Sequence, residues 1–152
     1  MADAGTGART WARCGLVALV MLAGCGGPEL SRGVRMSGEE ALPSNTSLAS
    51  AAALAKLAEL QRLDVSGTFG NLSGPLLPLE GSAIHLRSGA RGETGPLVLA
   101  LTVDSRDGLS GAFHGHLDLD EVQLGAFMSG DLYLVVFTEA HPEGELRGQL
   151  GP

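Results

Sequence analysis

The chain has 152 residues and carries 17 acidic against 10 basic side chains, a formal charge of −7 at pH 7. An acidic balance argues against nucleic acid and against electrostatic docking on anionic lipid, and one Trp, one Tyr and four Phe supply few of the aromatic platforms that single-stranded nucleic acid or sugar binding favours. Two cysteines cannot staple a framework of several disulfides, so the fold depends on a hydrophobic core, for which the chain is long enough as one domain.

At the amino terminus Arg9 and Arg13 precede an apolar run over residues 14–23. A membrane-spanning helix needs roughly 20 such residues, so the run reads as the core of a signal peptide. Leu22-Ala-Gly-Cys25 resembles the bacterial lipobox. That resemblance implies a diacylglyceryl group on the Cys25 sulfur, cleavage before it, and an acyl chain such as palmitate on the new amino terminus; several chains hold a protein at a membrane where one does not. The plainer alternative is an ordinary secretory signal with an incidental Cys25. Loss of residues 1–24 would remove Asp3, Arg9 and Arg13 from the 17 acids and 10 bases, leaving a formal charge of −8. Cys14 would leave with the signal and Cys25 would be lipidated, so no thiol would remain for a disulfide that the export compartment would permit. Residues 25–33 are the lipidated cysteine and its tether, and residues 34–152 the folded domain. Gly26, rather than Asp, after the cysteine implies delivery to the outer membrane of the cell envelope, facing the periplasm or the surface.

Residues 34–69 support two readings. Residues 47–63 are rich in Ala and Leu, the best helix formers, and local propensity favours a helix. Leu54, Leu57, Leu60 and Leu63 recur every three residues, however, and so drift around a 3.6-residue helix instead of marking one face. Leu63, Val65 and Phe69, with polar residues between, suit a strand.

Gly74-Pro75 and Pro78 break the chain, residues 82–87 form a short strand candidate, and residues 89–95 a Gly-rich loop. Residues 97–103 are apolar almost throughout, the pattern of a strand buried on both faces. Asp107-Gly108 signals a turn, and residues 111–117 alternate. Asp118, with Glu121 three residues on, is the expected capping box of a short helix near residues 119–129. Leu119, Val122, Leu124 and Phe127 are its expected buried side, and Gly130 suits the position after its last turn. Residues 131–150 then read as strand, turn and strand: β-branched, aromatic and leucine side chains over 132–138, His141-Pro142-Glu143-Gly144 as the turn, and an antiparallel return from Leu146 to Leu150.

Taken together, Gly130-Asp-Leu-Tyr133, Val136-Phe137-Thr138, Ala140-His141-Pro142 and Gly144-Glu145-Leu146-Arg147-Gly148-Gln149-Leu150 resemble the carboxy-terminal signature of the CHRD (chordin-type) domain. Ser82-Ala-Ile-His85 followed by Gly92-Glu-Thr-Gly-Pro96 is similar to its central motif, and residues 35–43 to its opening strand. The resemblance covers about residues 34–150. It implies an all-β, immunoglobulin-like or Greek-key sandwich with two short strands between 47 and 69, so strands are expected there in place of the helix that propensity favours. It also implies a binding or structural module without catalytic activity, whose partner is an unknown protein or envelope ligand besides the membrane reached through Cys25.

Four histidines are candidate metal ligands. The family pattern has an Ala-His-Ile-His run in the central motif and a histidine just before the threonine of the last hairpin, an arrangement like the copper site of Cu/Zn superoxide dismutases. Here Ala83 and Phe137 stand at two of those positions, leaving His85 and His141, which read more plainly as a hydrogen-bonded strand histidine and a turn residue. His114-Gly-His116 puts two imidazoles on one face of a strand, with Asp118 and Asp120 at the same spacing, and could form a small zinc or nickel patch; the plainer reading is the solvent face of an edge strand. A metal-binding envelope protein with a degenerate copper or zinc site is therefore the alternative function. No Gly-x-Ser-x-Gly elbow or zincin motif is present, and Glu143, Glu145 and Glu39-Glu40 read as surface charge. Arg147, with its planar fork, is expected to be structural, paired with a carboxylate at the sandwich rim or solvated on an edge strand.

Overall fold

A computed structural model describes residues 29–58 and 61–151. The expected signal segment and Cys25 lie outside the described residues. Two antiparallel sheets pack face to face, as the resemblance implies. One contains β1 (Leu30–Met36), β2 (Ser50–Leu57), β3 (Arg62–Gly70), β7 (Gly111–Asp118) and β6 (Thr102–Ser105), in that spatial order. The other runs β5 (Leu97–Ala100), β4 (Ile84–Ser88), β8 (Leu132–Val136) and β9 (Leu146–Gln149). Strand β7 returns beside β3 after three intervening strands, the non-sequential neighbour of a Greek-key path.

The alanine-rich segment is strand, not helix. Along β2, Ala51, Ala53 and Ala55 are buried while Ala52, Leu54 and Lys56 are exposed, the period of two that a sheet with one inner face demands. Pairing with β1 on one side and β3 on the other satisfies backbone groups that helix propensity cannot outweigh, since tertiary context overrides a preference of tenths of a kcal/mol per residue. Leu54 is thereby left on the outside, which explains why the leucine spacing marked no helical face.

Residues 97–103 depart from expectation. They form two short, half-buried strands, not one strand covered on both faces. The chain changes sheets at Leu101, which is buried and donates its N–H to Ile84 O at 2.9 Å. At the opposite edge β1 runs on to Ser37, which exchanges two backbone hydrogen bonds with Arg147 of β9. At both lateral edges of the sandwich the two sheets are thus joined by chain that serves both, which covers part of the ladder groups that promote edge-to-edge association. Gly148 makes the β1–β9 approach possible: a Cβ there would sit 2.7 Å from Arg35 O.

Helix α1 (Glu121–Ser129) occupies the expected place, but its cap is two residues later than predicted. Asp120 accepts from the Gln123 N–H and Gln123 Oε1 accepts from the Asp120 N–H. Asp118 is unavailable because it is still paired with Arg62 in the β3–β7 ladder. Phe127 is buried as expected, whereas Val122 points to solvent at 82% exposure. Gly130 closes the helix in the left-handed region at φ 83°, donating to Ala126 O and Phe127 O. The last turn has no basic residue of its own. Arg32 of β1 supplies one instead, donating to Phe127 O, to Met128 O at 3.1 Å and to Leu150 O at 3.1 Å, a cation at the negative end of the helix.

The hairpin matches its sequence. Val135 faces Arg147 and Val136 faces Leu146 across β8–β9, and the Gly144 N–H donates to His141 O at 3.0 Å to close the turn.

Candidate functional site

Strand β8 is buried on both faces. Leu132, Leu134 and Val136 enter the core between the sheets, whereas Tyr133, Val135 and Phe137 form a second apolar cluster on the far side with Leu77. An antiparallel sheet commonly leaves that far side wet; here connecting loops wrap it, and the register brings polar groups to its edges. Val135 lies between His85 and Arg147, and Tyr133 between Arg87 and Gln149. Phe137 donates its N–H to Ala83 O at 2.8 Å.

The three positions at which the resemblance implies histidine therefore come together, as Ala83, His85 and Phe137. They do not fit a copper centre. Ala83 and Phe137 carry no donor, and the phenyl ring stands edge-on to the imidazole with centroids 5.0 Å apart. His85 is fully buried, with Nε2 at 2.7 Å from Leu79 O and 2.9 Å from Ser82 O. Two carbonyls at one nitrogen require the proton there, so Nδ1 accepts from Arg87 Nε at 3.3 Å. His141 is the expected turn residue; its N–H donates to Thr138 Oγ1 at 3.2 Å.

His114 and His116 are exposed on one face of β7, but that strand is interior, between β3 and β6, and not at an edge. His114 Nδ1 lies 3.5 Å from Asp104 Oδ2, and His116 is opposite Asp64. Asp120 has left the strand to cap α1, which ends the expected row. Among the described residues no three His, Cys, Asp or Glu side chains converge as a metal site would need. Because a ligand stabilises only through binding to the native state, zinc is expected to raise the unfolding temperature by less than about 1 °C. A larger rise that disappears in the double variant His114→Ala, His116→Ala would show that the patch holds metal after all.

Arg147 is 2% exposed and so is not solvated on an edge strand, and its hydrogen-bond partners are not a carboxylate either. Nη2 donates to Gln149 Oε1 at 2.8 Å, to Ala90 O at 3.1 Å and to Glu93 O at 3.3 Å, and the guanidinium lies 4.2 Å over the Tyr133 ring. The buried Nε has no acceptor, and a donor left so costs about 1–3 kcal/mol. Burial pushes the guanidinium below its usual range, although it stays a cation. Arg87, across the cluster, is paired with Glu80 and donates to Gly95 O at 3.1 Å.

Glu145 overturns the expectation of surface charge. Its side chain is fully buried and accepts from Ser47 Oγ at 2.5 Å, from the Ser73 N–H at 2.9 Å and from Thr138 Oγ1 at 2.7 Å. Burial alone would push this carboxyl up, but the hydrogen bonds from Ser47, Ser73 and Thr138 outweigh it and hold it below its ordinary value. The one signal in the sequence was its position in the same string as Arg147.

A cleft of about 410 Å³ opens over this face, within the range of small-molecule sites. Tyr133, Val135 and Phe137 contribute its apolar surface together with Leu42 and Leu79, Arg87 and Arg147 bring positive charge, and Glu80 and Glu143 bring negative charge.

A comparison with protein families matches residues 33–150 to the CHRD domain. No curated protein and no solved structure matches the chain.

Proposed function

The chain belongs to the CHRD domain family, and from that premise we propose that it is a lipid-anchored binding or structural module of the bacterial cell envelope, without catalytic activity. The observation that carries this reading is the far face of the β5–β4–β8–β9 sheet, where a cleft lined by Tyr133, Val135 and Phe137 also takes in Arg87 and Arg147, and Phe137 stands at one of the positions at which the family pattern has histidine. The buried polar groups nearby in the fold are engaged in structural hydrogen bonds: His85 on the neighbouring strand with two carbonyls, and Glu145, away from the cleft, with donors from Ser47, Ser73 and Thr138. A recognition surface needs such pre-set groups, whereas general acid–base chemistry needs one free to exchange a proton with substrate.

The anchor rests on the basic residues Arg9 and Arg13, the short apolar run and Leu22-Ala-Gly-Cys25. Strand β1 begins at Leu30, so the five residues from Cys25 span at most about 18 Å. The end of the sandwich with the start of β1, helix α1 and Leu150 would then face the membrane, the outer one by the identity of Gly26, and the His141 turn would point away.

Metabolic labelling with a fatty-acid analogue tests the anchor. The parent protein should be labelled and Cys25→Ser should not; equal labelling of the two sinks the lipoprotein reading. Proximity labelling from the anchored protein in its host tests the module reading, which expects specific envelope components to be enriched over a control lipoprotein.

A further inference from the structure

Helix α1 closes the end of the sandwich at which β1 begins. Phe127 is buried in the core between the sheets, and Leu124 and Ala126 pack against that core, so the opposite face of the helix points out from this end. That face carries Val122, Gly125, Met128 and Ser129, with Val122 82% and Met128 53% exposed. Glu121 is the one charged residue of the helix. Nothing within the fold calls for Gly125. Glycine is disfavoured inside a helix, and a Cβ at this position would meet nothing within 4 Å; its absence lets a surface lie close to the helix backbone between two apolar side chains. Leu30, at the start of β1, is a third exposed apolar group at this end, and Arg32 ties its strand to the helix by donating to Phe127 O and Met128 O.

We infer that this outward face of α1 rests in the interface of the membrane that holds the chain's own acyl groups, with Val122, Met128 and Leu30 buried at the boundary between headgroups and acyl chains. The occupant follows from the tether. On the anchor reading above, on which this inference rests, five residues separate the lipidated Cys25 from Leu30 and keep the start of β1 within about 18 Å of it. Three exposed apolar side chains are too few to hold a free domain on a bilayer. A short tether makes the contact intramolecular, however, at an effective concentration on the order of millimolar, and a weak contact is then populated. The contact is made by apolar burial and not by attraction to anionic headgroups: Lys56 is paired with Glu29 at 3.5 Å and Arg62 with Asp64 at 3.4 Å, while Asp118, Asp120 and Glu121 add negative charge at the entry to the helix.

The test uses the full-length chain, produced in a bacterium that processes lipoproteins and reconstituted in vesicles of phosphatidylethanolamine and phosphatidylglycerol. On the same reading no native thiol is left free, so Val122→Cys, Met128→Cys and Glu143→Cys each accept one fluorophore, Glu143 being exposed in the turn at the opposite end. Nitroxide-labelled lipid should quench the probe at positions 122 and 128 at least twofold more than at 143. Adding Val122→Asp to the Met128→Cys chain should lower the quenching at 128 at least twofold. Equal quenching at all three positions, or quenching at 128 that Val122→Asp leaves unchanged, overturns the inference. Vesicle flotation separates it from the anchor. A chain that floats but shows equal quenching loses the helix contact alone, whereas a chain that floats no better than Cys25→Ser loses the anchor and the contact with it.

Discussion

Replacing Glu145 with Ala should lower stability by about 3–5 kcal/mol and the unfolding temperature by roughly 10–20 °C. The carboxylate ties together three connections far apart in sequence: Ser47 before β2, Ser73 after β3, and Thr138 between β8 and β9. Alanine would leave two hydroxyls and one N–H without an acceptor in the interior. Hydrogen bonds to a charged group contribute more than neutral ones, and stranded buried donors cost more than solvated ones. Glu145→Gln should cost less, about 1–2 kcal/mol, because Thr138 Oγ1 can accept from the new amide nitrogen while the amide oxygen still receives Ser47 and Ser73. Thermal unfolding near pH 7 measures both.

Acid titration gives the same side chain a second signature. The folded-state pKa of Glu145 lies below its ordinary 4.5, so its contribution is fully present above the unfolded-state value and is lost as pH falls through the lower folded value. Parent stability should therefore decline below about pH 4.5, and the Gln variant should lack that part of the decline. An identical acid profile in parent and variant would refute the assignment of Glu145 as a titrating buried group. Asp107 is also held low, chiefly by the Leu109 and Ser110 N–H groups, but it lies on an exposed turn and is expected to leave the Gln–parent difference unchanged.

Phe113→Ala should destabilise by about 3–5 kcal/mol, the range for removing a buried aromatic side chain. Phe113 is 1% exposed on the inner face of β7, and its ring covers Gly67 directly opposite on β3. That pairing also makes the opposite change costly. A Cβ on Gly67 would lie 2.4 Å from Phe113 Cζ and 2.5 Å from Ala52 O; the ring can rotate away but the carbonyl belongs to the β2–β3 ladder. Gly67→Ala should therefore lose about 1–3 kcal/mol. In the double variant the ring clash is gone, so the combined loss should fall short of the sum of the single losses. Denaturant unfolding of the three variants checks it, and strict additivity would mean that the ring and the glycine are not packed as described.

The family, the hairpin, its turn and the Gly130 cap were all legible in the chain, because each depends on local rules. Strand composition sets alternation, Pro and Gly set the turn, and a left-handed residue after a helix favours glycine wherever it occurs. Local rules failed where two distant segments compete for one group. The alanine-rich stretch has helix propensity, and only ladders from β1 and β3 make it a strand. Asp118 has the spacing of a cap, and only its place in the β7 ladder hands that role to Asp120.

The candidate site shows the same division. His85, Phe137 and Arg147 could be picked out from the family string, but their surroundings could not. Glu145 looked like surface charge because flanking residues alone do not reveal Ser47 and Ser73, which lie 98 and 72 positions away. Arg147 reads from sequence as paired with a carboxylate or solvated on an edge strand, and instead meets loop carbonyls and the Tyr133 ring. The sequence by itself determined the closing hairpin and which donors a histidine centre would lack, since both follow from residue type and spacing. Only the tertiary structure decided which charges are buried and what neutralises them, because burial is set by the segments that cross a residue in space and not by its neighbours along the chain.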